Sequence, residues 1–157
     1  MSRYLLILII VALVILYIYF PRGGDPREIE AVLGEMKDAA QIKDLDGVMS
    51  HFSLQYKDEY GATYHVVKKV IEDVFRKYDS IGVSYSGLSV VFSENESGGK
   101  EAAANLDVIV TGHSSGITRD LIGSDGSPDN VTVTFEKSSL GGWKITSVEG
   151  IDEQDGY

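Results

Sequence analysis

The fold of this chain is decided by residues 67–92, which read VKKVIEDVFRKYDSIGVSYSGLSVVF. Up to Tyr78 the apolar side chains recur every three or four residues, a spacing that predicts an α-helix with one apolar face. From Ser80 the spacing changes to two, as in a half-buried β-strand, and the alternation slips by one residue at Gly87. A slip of this kind predicts a β-bulge within one long, bent strand. A helix that leads into such a strand indicates an α+β domain.

Two further helices are predicted before this stretch. The first begins at Asp25, an N-cap that is followed by Pro26 at the first helical position and by Glu28, the arrangement of a capping box. Its apolar stripe comprises Ile29, Val32, Leu33, Met36, Ala39 and Ala40. The second helix is short and begins after Asp44, with Leu45, Val48, Met49 and Phe52 as its apolar residues. The third helix is that of the opening stretch and begins after Thr63.

Three more strands are predicted after the bent strand. A turn at residues 95–99 leads into a second strand from Ala102 to Thr111, and residues 117–122 are expected to resume strand structure. A third strand follows at residues 131–136 and a fourth at residues 143–148. The prediction is therefore three helices packed on a curved, four-stranded antiparallel sheet.

Residues 4–20 form an uncharged apolar segment, YLLILIIVALVILYIYF. A helix of this length is about 25 Å long, enough to cross the hydrocarbon core of a bilayer, and tyrosines lie at both of its ends. A cleaved signal peptide is the alternative, but residues 18–22 lack the small side chains of a cleavage site. We therefore expect a membrane anchor at residues 1–22, one domain at residues 23–150 and an acidic tail at residues 151–157.

The side of the membrane that the domain occupies depends on three arginines. Arg3 precedes the apolar segment, whereas Arg22 and Arg27 follow it, and this count leans slightly against export of the domain. A short basic region before an apolar run nevertheless resembles an export signal. We expect a single-pass protein with its domain on the periplasmic or extracellular side.

The chain is strongly acidic, with 14 Lys and Arg against 24 Asp and Glu. Such a surface repels phosphate backbones, so nucleic acid is not an expected partner. The chain has no cysteine, which excludes disulfides, thiolate metal sites and a cysteine nucleophile.

The order of three helices and a four-stranded antiparallel sheet resembles the nuclear transport factor 2-like superfamily, whose sheet curls around the first helix into a cone. Two motifs carry the resemblance. Residues 39–52, AAQIKDLDGVMSHF, are similar to the helix-to-helix turn of the superfamily, and residues 135–137 with 142–145 are similar to its closing hairpin. The resemblance implies a cystatin-like fold, but it carries little information about activity. For enzymes of the superfamily, such as those resembling ketosteroid isomerase, scytalone dehydratase or polyketide cyclases, it implies a carboxylate or histidine inside the cone beside a Tyr or Asp.

No residue in the predicted strands fits that role without a further assumption. Asp107 lies in the second strand, but alternation places it opposite Leu106, on the solvent face. A one-residue bulge would reverse this face and pair Asp107, as a base, with Tyr85 or Tyr56 as a donor. The three histidines lack metal-ligand spacing, so we predict neither a metal nor a cofactor nor a set of catalytic residues.

Tyr56, Tyr85 and Trp143 are the candidate residues for lining a ligand pocket, although aromatic filling of a small core is the commoner role of such side chains. We expect a noncatalytic binding or interaction module displayed at a membrane surface, monomeric or weakly dimeric. Its partner would be another protein or a small apolar ligand. The alternatives are a small-molecule isomerase, cyclase or dehydratase of the same fold, and an accessory subunit of a membrane complex.

Overall fold

The predicted helices are present in the computed structural model, which describes residues 24–151. They are α1 (Pro26–Gln41), α2 (Leu45–Met49) and α3 (Tyr64–Lys77). Asp25 caps α1 and Asp44 caps α2, each by accepting a backbone N–H hydrogen bond on its carboxylate. Thr63 precedes α3 without such a bond. The N-cap predictions are therefore confirmed for the first two helices, where a carboxylate satisfies a free N–H group.

The strands form one antiparallel sheet in the order β1-β2-β4-β5, and β3 pairs with β2 beside this path. They are β1 (Ser80–Glu94), β2 (Lys100–Ser114), β3 (Ile117–Ile122), β4 (Asp129–Lys137) and β5 (Trp143–Glu149). The register between β1 and β2 shifts between Ser86 and Ser89. The bulge that the slip at Gly87 predicts is therefore confirmed, and Gly87 adopts the positive φ of 65° that favours glycine.

The sheet has five strands within the described residues, rather than the four predicted. Ser115 and Gly116 both have positive φ, at 52° and 78°, and they form a two-residue turn that folds the chain back along β2. Strand β3 pairs with the last part of β2, from Val110 to Ser114, which β4 does not reach. Residues 117–122 thus make a strand of their own, because two consecutive left-handed residues close a hairpin.

The core lies between α1 and one face of the sheet. We call the face that bears Leu106 the inner face and the face that bears Asp107 the outer face. The largest fully buried side chains are Phe135, Ile29 and Ile145. Trp143 belongs to the same cluster, and among residues 24–151 the buried set includes no charged or polar residue.

The two long hairpins end at the same side of the domain, which we call the hairpin end. It comprises the β1–β2 turn, the β4–β5 turn and the beginning of α1. The amide of Asn95 in the first turn donates to Glu136 Oε1 at 2.9 Å, and Trp143 packs against Gly24. The opposite side, which we call the far end, comprises the β2–β3 turn and the last residues of α1 and α3. There the Lys43 ammonium group donates to the Tyr78 carbonyl at 3.0 Å.

None of the helices within residues 24–151 combines the length and the apolar character that crossing a bilayer requires. The predicted anchor at residues 4–20 and the tail beyond residue 151 lie outside the part of the chain that the structure describes.

Candidate functional site

The three predicted pocket residues occupy different parts of the domain. Trp143 lies at the hairpin end, where its ring centroid is 5.7 Å from that of Phe92. Tyr85 lies on the other side of the bulge in the same strand as Phe92, about 20 Å away from Phe92 along the strand. Tyr56 follows α2 and packs edge-on against Phe52, with ring centroids 5.3 Å apart. Tyr85 is the half-buried member of the three, and the other two are buried.

Trp143 links the last hairpin to the first helix. Its indole N–H donates to Glu28 Oε2 at 2.6 Å, and the Lys137 ammonium group lies 2.8 Å from the same oxygen. Hydrogen bonds from Lys137 and then from Trp143 hold the pKa of Glu28 below its ordinary value. The capping box predicted a bond from Glu28 back to the start of α1. The side chain instead joins the hairpin, where a cation and an indole N–H offer a stronger partnership.

Tyr56 is a core residue. Burial, and secondarily the charge of Asp58, raise the pKa of Tyr56 to about 12, while a backbone hydrogen bond with Val148 acts in the opposite direction. The Asp58 carboxylate accepts bonds from the N–H groups of Tyr60 and Ala62, so it shapes a turn. This region therefore supports the fold.

The inner face becomes accessible towards the far end. Along β2 the buried inner residues are Ala102, Ala104 and Leu106. The next inward residues, Val108 and Val110, are only half-buried. Gly112 is buried again, since a Cβ there would lie 2.6 Å from the Tyr78 ring. Because other strands flank β2 on both sides, the exposure of Val108 and Val110 marks an uncovered part of the inner face.

Tyr85 and Asp129 flank this uncovered part. Tyr85 pairs with Val108 across β1 and β2, and Val108 pairs with Asp129 across β2 and β4. The three residues therefore form one row across the sheet, with the outer two about 10 Å apart. Asp129 lies two residues before the buried Val131, so alternation places both on the inner face. We call the region of Tyr85, Val108, Val110 and Asp129 the inner cleft, a name for the partly uncovered area that these four half-buried residues share.

Two polar groups of the inner cleft have capacity to bind a ligand. Asp129 Oδ2 is buried and has no hydrogen-bond partner among residues 24–151. Burial raises the pKa of Tyr85, and Glu30 and Asp38 of α1 raise it further, so the phenol stays protonated and can donate. The Lys37 ammonium group lies 5.9 Å from the Tyr85 ring centroid, which places α1 along this side of the cleft.

Asp107, the carboxylate considered from the sequence, lies on the outer face as alternation predicts. Its Oδ1 accepts a hydrogen bond from Asn130 at 2.8 Å, and Asn130 exchanges two further bonds with Asn105. The sequence does not indicate Asp129, because the residues around it resemble a turn and the predicted strand begins at residue 131. Extending the alternation by two residues would have placed Asp129 beside Val131 on the inner face.

The histidines do not form a site. His51 is largely buried with Glu35 3.7 Å away, and burial is the main cause of its lowered pKa. His113 contacts Thr118 at 3.1 Å near the β2–β3 turn. Residues 24–151 contain no cluster of three or more acidic, histidine or cysteine side chains able to hold a metal ion.

No family model matches this sequence, and no curated protein matches it either. Similarity is found among solved structures. An ntf2-like protein with a cystatin-like fold from Novosphingobium aromaticivorans superposes with a TM-score of 0.61 at 15% identity, covering 83% of this chain and 84% of that chain.

Two further structures show the same arrangement. A Novosphingobium aromaticivorans protein with a suggested scytalone dehydratase activity has a TM-score of 0.58 at 15% identity, covering 82% of this chain and 88% of its own. Bd1075 of Bdellovibrio bacteriovorus has a TM-score of 0.61 at 13% identity over 78% of this chain, which spans 40% of that larger protein. At these identities the likeness concerns architecture alone. Three helices on an antiparallel sheet, with these neighbours, give this domain the nuclear transport factor 2-like, cystatin-like fold.

Proposed function

We propose that the domain is a noncatalytic binding module that holds a small, largely apolar molecule in the inner cleft. The observation that carries the proposal is the half-buried state of Val108 and Val110 on the inner face of a central strand. Apolar side chains with a few convergent polar groups are the usual lining of a small-molecule site. Tyr85 and Asp129 supply those polar groups on either side of Val108.

The polar groups indicate the chemistry of the ligand. The unpartnered oxygen of Asp129 would accept a hydrogen bond from a hydroxyl or amine, and the Tyr85 phenol would donate to a carbonyl or ether oxygen. Glu30 and Asp38 of α1 place negative charge near Tyr85, and Lys37 of the same helix places one positive charge there. A neutral or cationic molecule suits this field better than an anionic one.

Display at a membrane is the second part of the proposal. Residues 4–20 are long and apolar enough to cross a bilayer, and residues 21–23 join them directly to the domain. A cleft held next to a membrane would meet apolar molecules that partition into lipid. We place the domain on the periplasmic or extracellular side, following the resemblance of the N-terminus to an export signal.

The test uses the domain without its apolar segment and a neutral apolar dye, Nile red, as the probe. Val108→Trp should fill the inner cleft and reduce dye binding at least about tenfold, because a large side chain overfills the space that a ligand would use. Val91→Trp is the matched control, since Val91 is 65% exposed on the outer face. Equal dye binding by the two variants, with unchanged circular dichroism, would refute the site.

An enzyme of the isomerase, cyclase or dehydratase class is the second candidate, and Asp129 is the observation that favours it. An inward carboxylate with an unpartnered oxygen could remove a proton, while Tyr85 could donate to the oxyanion that develops. The neighbour with a suggested dehydratase activity shows that the fold is compatible with such a role. Asp129→Asn separates the two candidates, because it would abolish turnover of a bound ligand while leaving apolar binding largely intact.

A further inference from the structure

The linker between the apolar segment and the domain is short, so it keeps one end of the domain close to the proposed anchor. Phe20 is the last residue of the apolar segment, and the four-residue step from Phe20 to Gly24 spans at most about 14 Å when fully extended. Gly24 is held against the hairpin end, because a Cβ there would lie 2.8 Å from Trp143 Cζ2 and 3.0 Å from Phe92 Cε1. The hairpin end therefore lies close to the point where an anchored chain would leave the bilayer.

The most exposed large apolar side chain of residues 24–151 lies at this same end. Leu140 is 97% exposed at the tip of the β4–β5 turn. Hydrogen bonds from Ser138 N–H to the Gly142 carbonyl, at 2.7 Å, and from Gly141 N–H to the Ser138 carbonyl, at 2.9 Å, close the turn. The Cα of Leu140 lies within about 11 Å of the Cα of Trp143, three residues further along the chain. A tight turn of small, uncharged residues thus presents one leucine at the same end of the domain as Gly24.

We propose that the hairpin end faces the bilayer and that Leu140 inserts into its interfacial region. The inference rests on the proposed membrane anchor and adds the orientation of the domain above the lipid. The short linker already holds the hairpin end close to the bilayer, so insertion of Leu140 costs little further chain entropy. Insertion also removes an exposed leucine from water, which is favourable.

Charge decides which lipids favour the contact. The hairpin end carries more acidic than basic side chains. The acidic residues are Asp25, Glu28, Glu94, Glu96, Glu101 and Glu136, and the basic residues are Arg27, Lys100, Lys137 and Lys144. Anionic headgroups would repel this surface. We therefore expect the hairpin end to contact zwitterionic lipid, and added anionic lipid should weaken this contact.

The full chain has no cysteine, so one introduced cysteine gives a unique label. Leu140→Cys is labelled with the environment-sensitive dye NBD and reconstituted in phosphatidylcholine vesicles. Ile117→Cys is the matched control, because Ile117 is 58% exposed but lies at the far end. The label at residue 140 should emit at shorter wavelength and lose intensity when nitroxide lipids are present, whereas the label at residue 117 should do neither. Phosphatidylglycerol in the vesicles should reduce the quenching at residue 140.

A second reporter tests Leu140 itself rather than the dye. With NBD on Ser139→Cys, lipid quenching should be present with Leu140 and lost with Leu140→Ser. Equal quenching at residues 140 and 117, or quenching at residue 139 that is indifferent to Leu140, would overturn the inference. A blue shift that depends on protein concentration without lipid quenching would assign the tip to a second copy and overturn it as well. A chain that fails to float with the vesicles refutes the anchor instead, so the two failures are distinguishable.

Discussion

Replacing Trp143 with alanine should destabilise the domain by about 3–5 kcal/mol, the range for truncating a large aromatic side chain in a core. Trp143 is 4% exposed, packs on Phe92 and fills the space against Gly24. The lost hydrogen bond to Glu28 adds little to this figure, because the Glu28 side chain is 45% exposed and keeps Lys137 as a partner. The cost therefore comes mainly from lost apolar contacts and the cavity that remains.

Trp143→Phe is the matched control. It keeps an aromatic ring in the core but removes the indole N–H, so it should cost about 1–2 kcal/mol, well below the cost of alanine. Urea unfolding followed by far-ultraviolet circular dichroism measures both variants, since Trp143 is the single tryptophan of the chain and its fluorescence is lost on substitution. A decrease in the free energy of unfolding below about 1 kcal/mol for the alanine variant would show that the packing of β5 does not depend on the Trp143 side chain.

Three further outcomes are expected. Glu28→Gln should be less stable than the unchanged domain at neutral pH, and the difference should vanish as the pH falls through the folded-state pKa of Glu28. Because the pKa of Glu28 in the folded domain lies below the ordinary value, the stabilisation by the Glu28 carboxylate is complete above the unfolded-state pKa and is lost on acidification. A difference in urea midpoint between the two proteins that does not change with pH would contradict this prediction. The mature protein should retain residues 4–20, and a mass that begins after Phe20 would exclude the anchor. The domain from Asp25 onward should fold alone and sediment as a monomer or weak dimer, because Asp107 and its amide partners interrupt the outer face. A tight dimer whose stability does not depend on salt would instead favour the alternative function, an accessory subunit of a membrane complex.

The helices and the long strands could be predicted because local chemistry determines them. Asp25 and Asp44 lie where a free N–H group needs an acceptor, and the slip at Gly87 is readable as a change in alternation. The separate strand β3 could not be predicted, because it depends on the φ angles of Ser115 and Gly116, and serine rarely adopts such a conformation.

The candidate site could be predicted only in part. The sequence indicates Tyr85 as a candidate pocket residue, but the grouping of Tyr85 with Asp129 depends on the register of three strands. Strand register arises from packing across the sheet and is not encoded in any one segment. The capping box failed for a similar reason, since the Lys137 and Trp143 that bind Glu28 are more than one hundred residues away in the chain.

The bond between Trp143 and Glu28 joins residues 115 positions apart, the beginning of the domain to its last hairpin. During synthesis on the ribosome, α1 would emerge long before β5, and Glu28 would lack its indole partner until Trp143 had been made. Contacts of such sequence separation slow folding, because the intervening loop must close before they form. The nascent domain should therefore reach its native state only after β5 has left the exit tunnel, and until then its first helix is a segment for which a chaperone could compete.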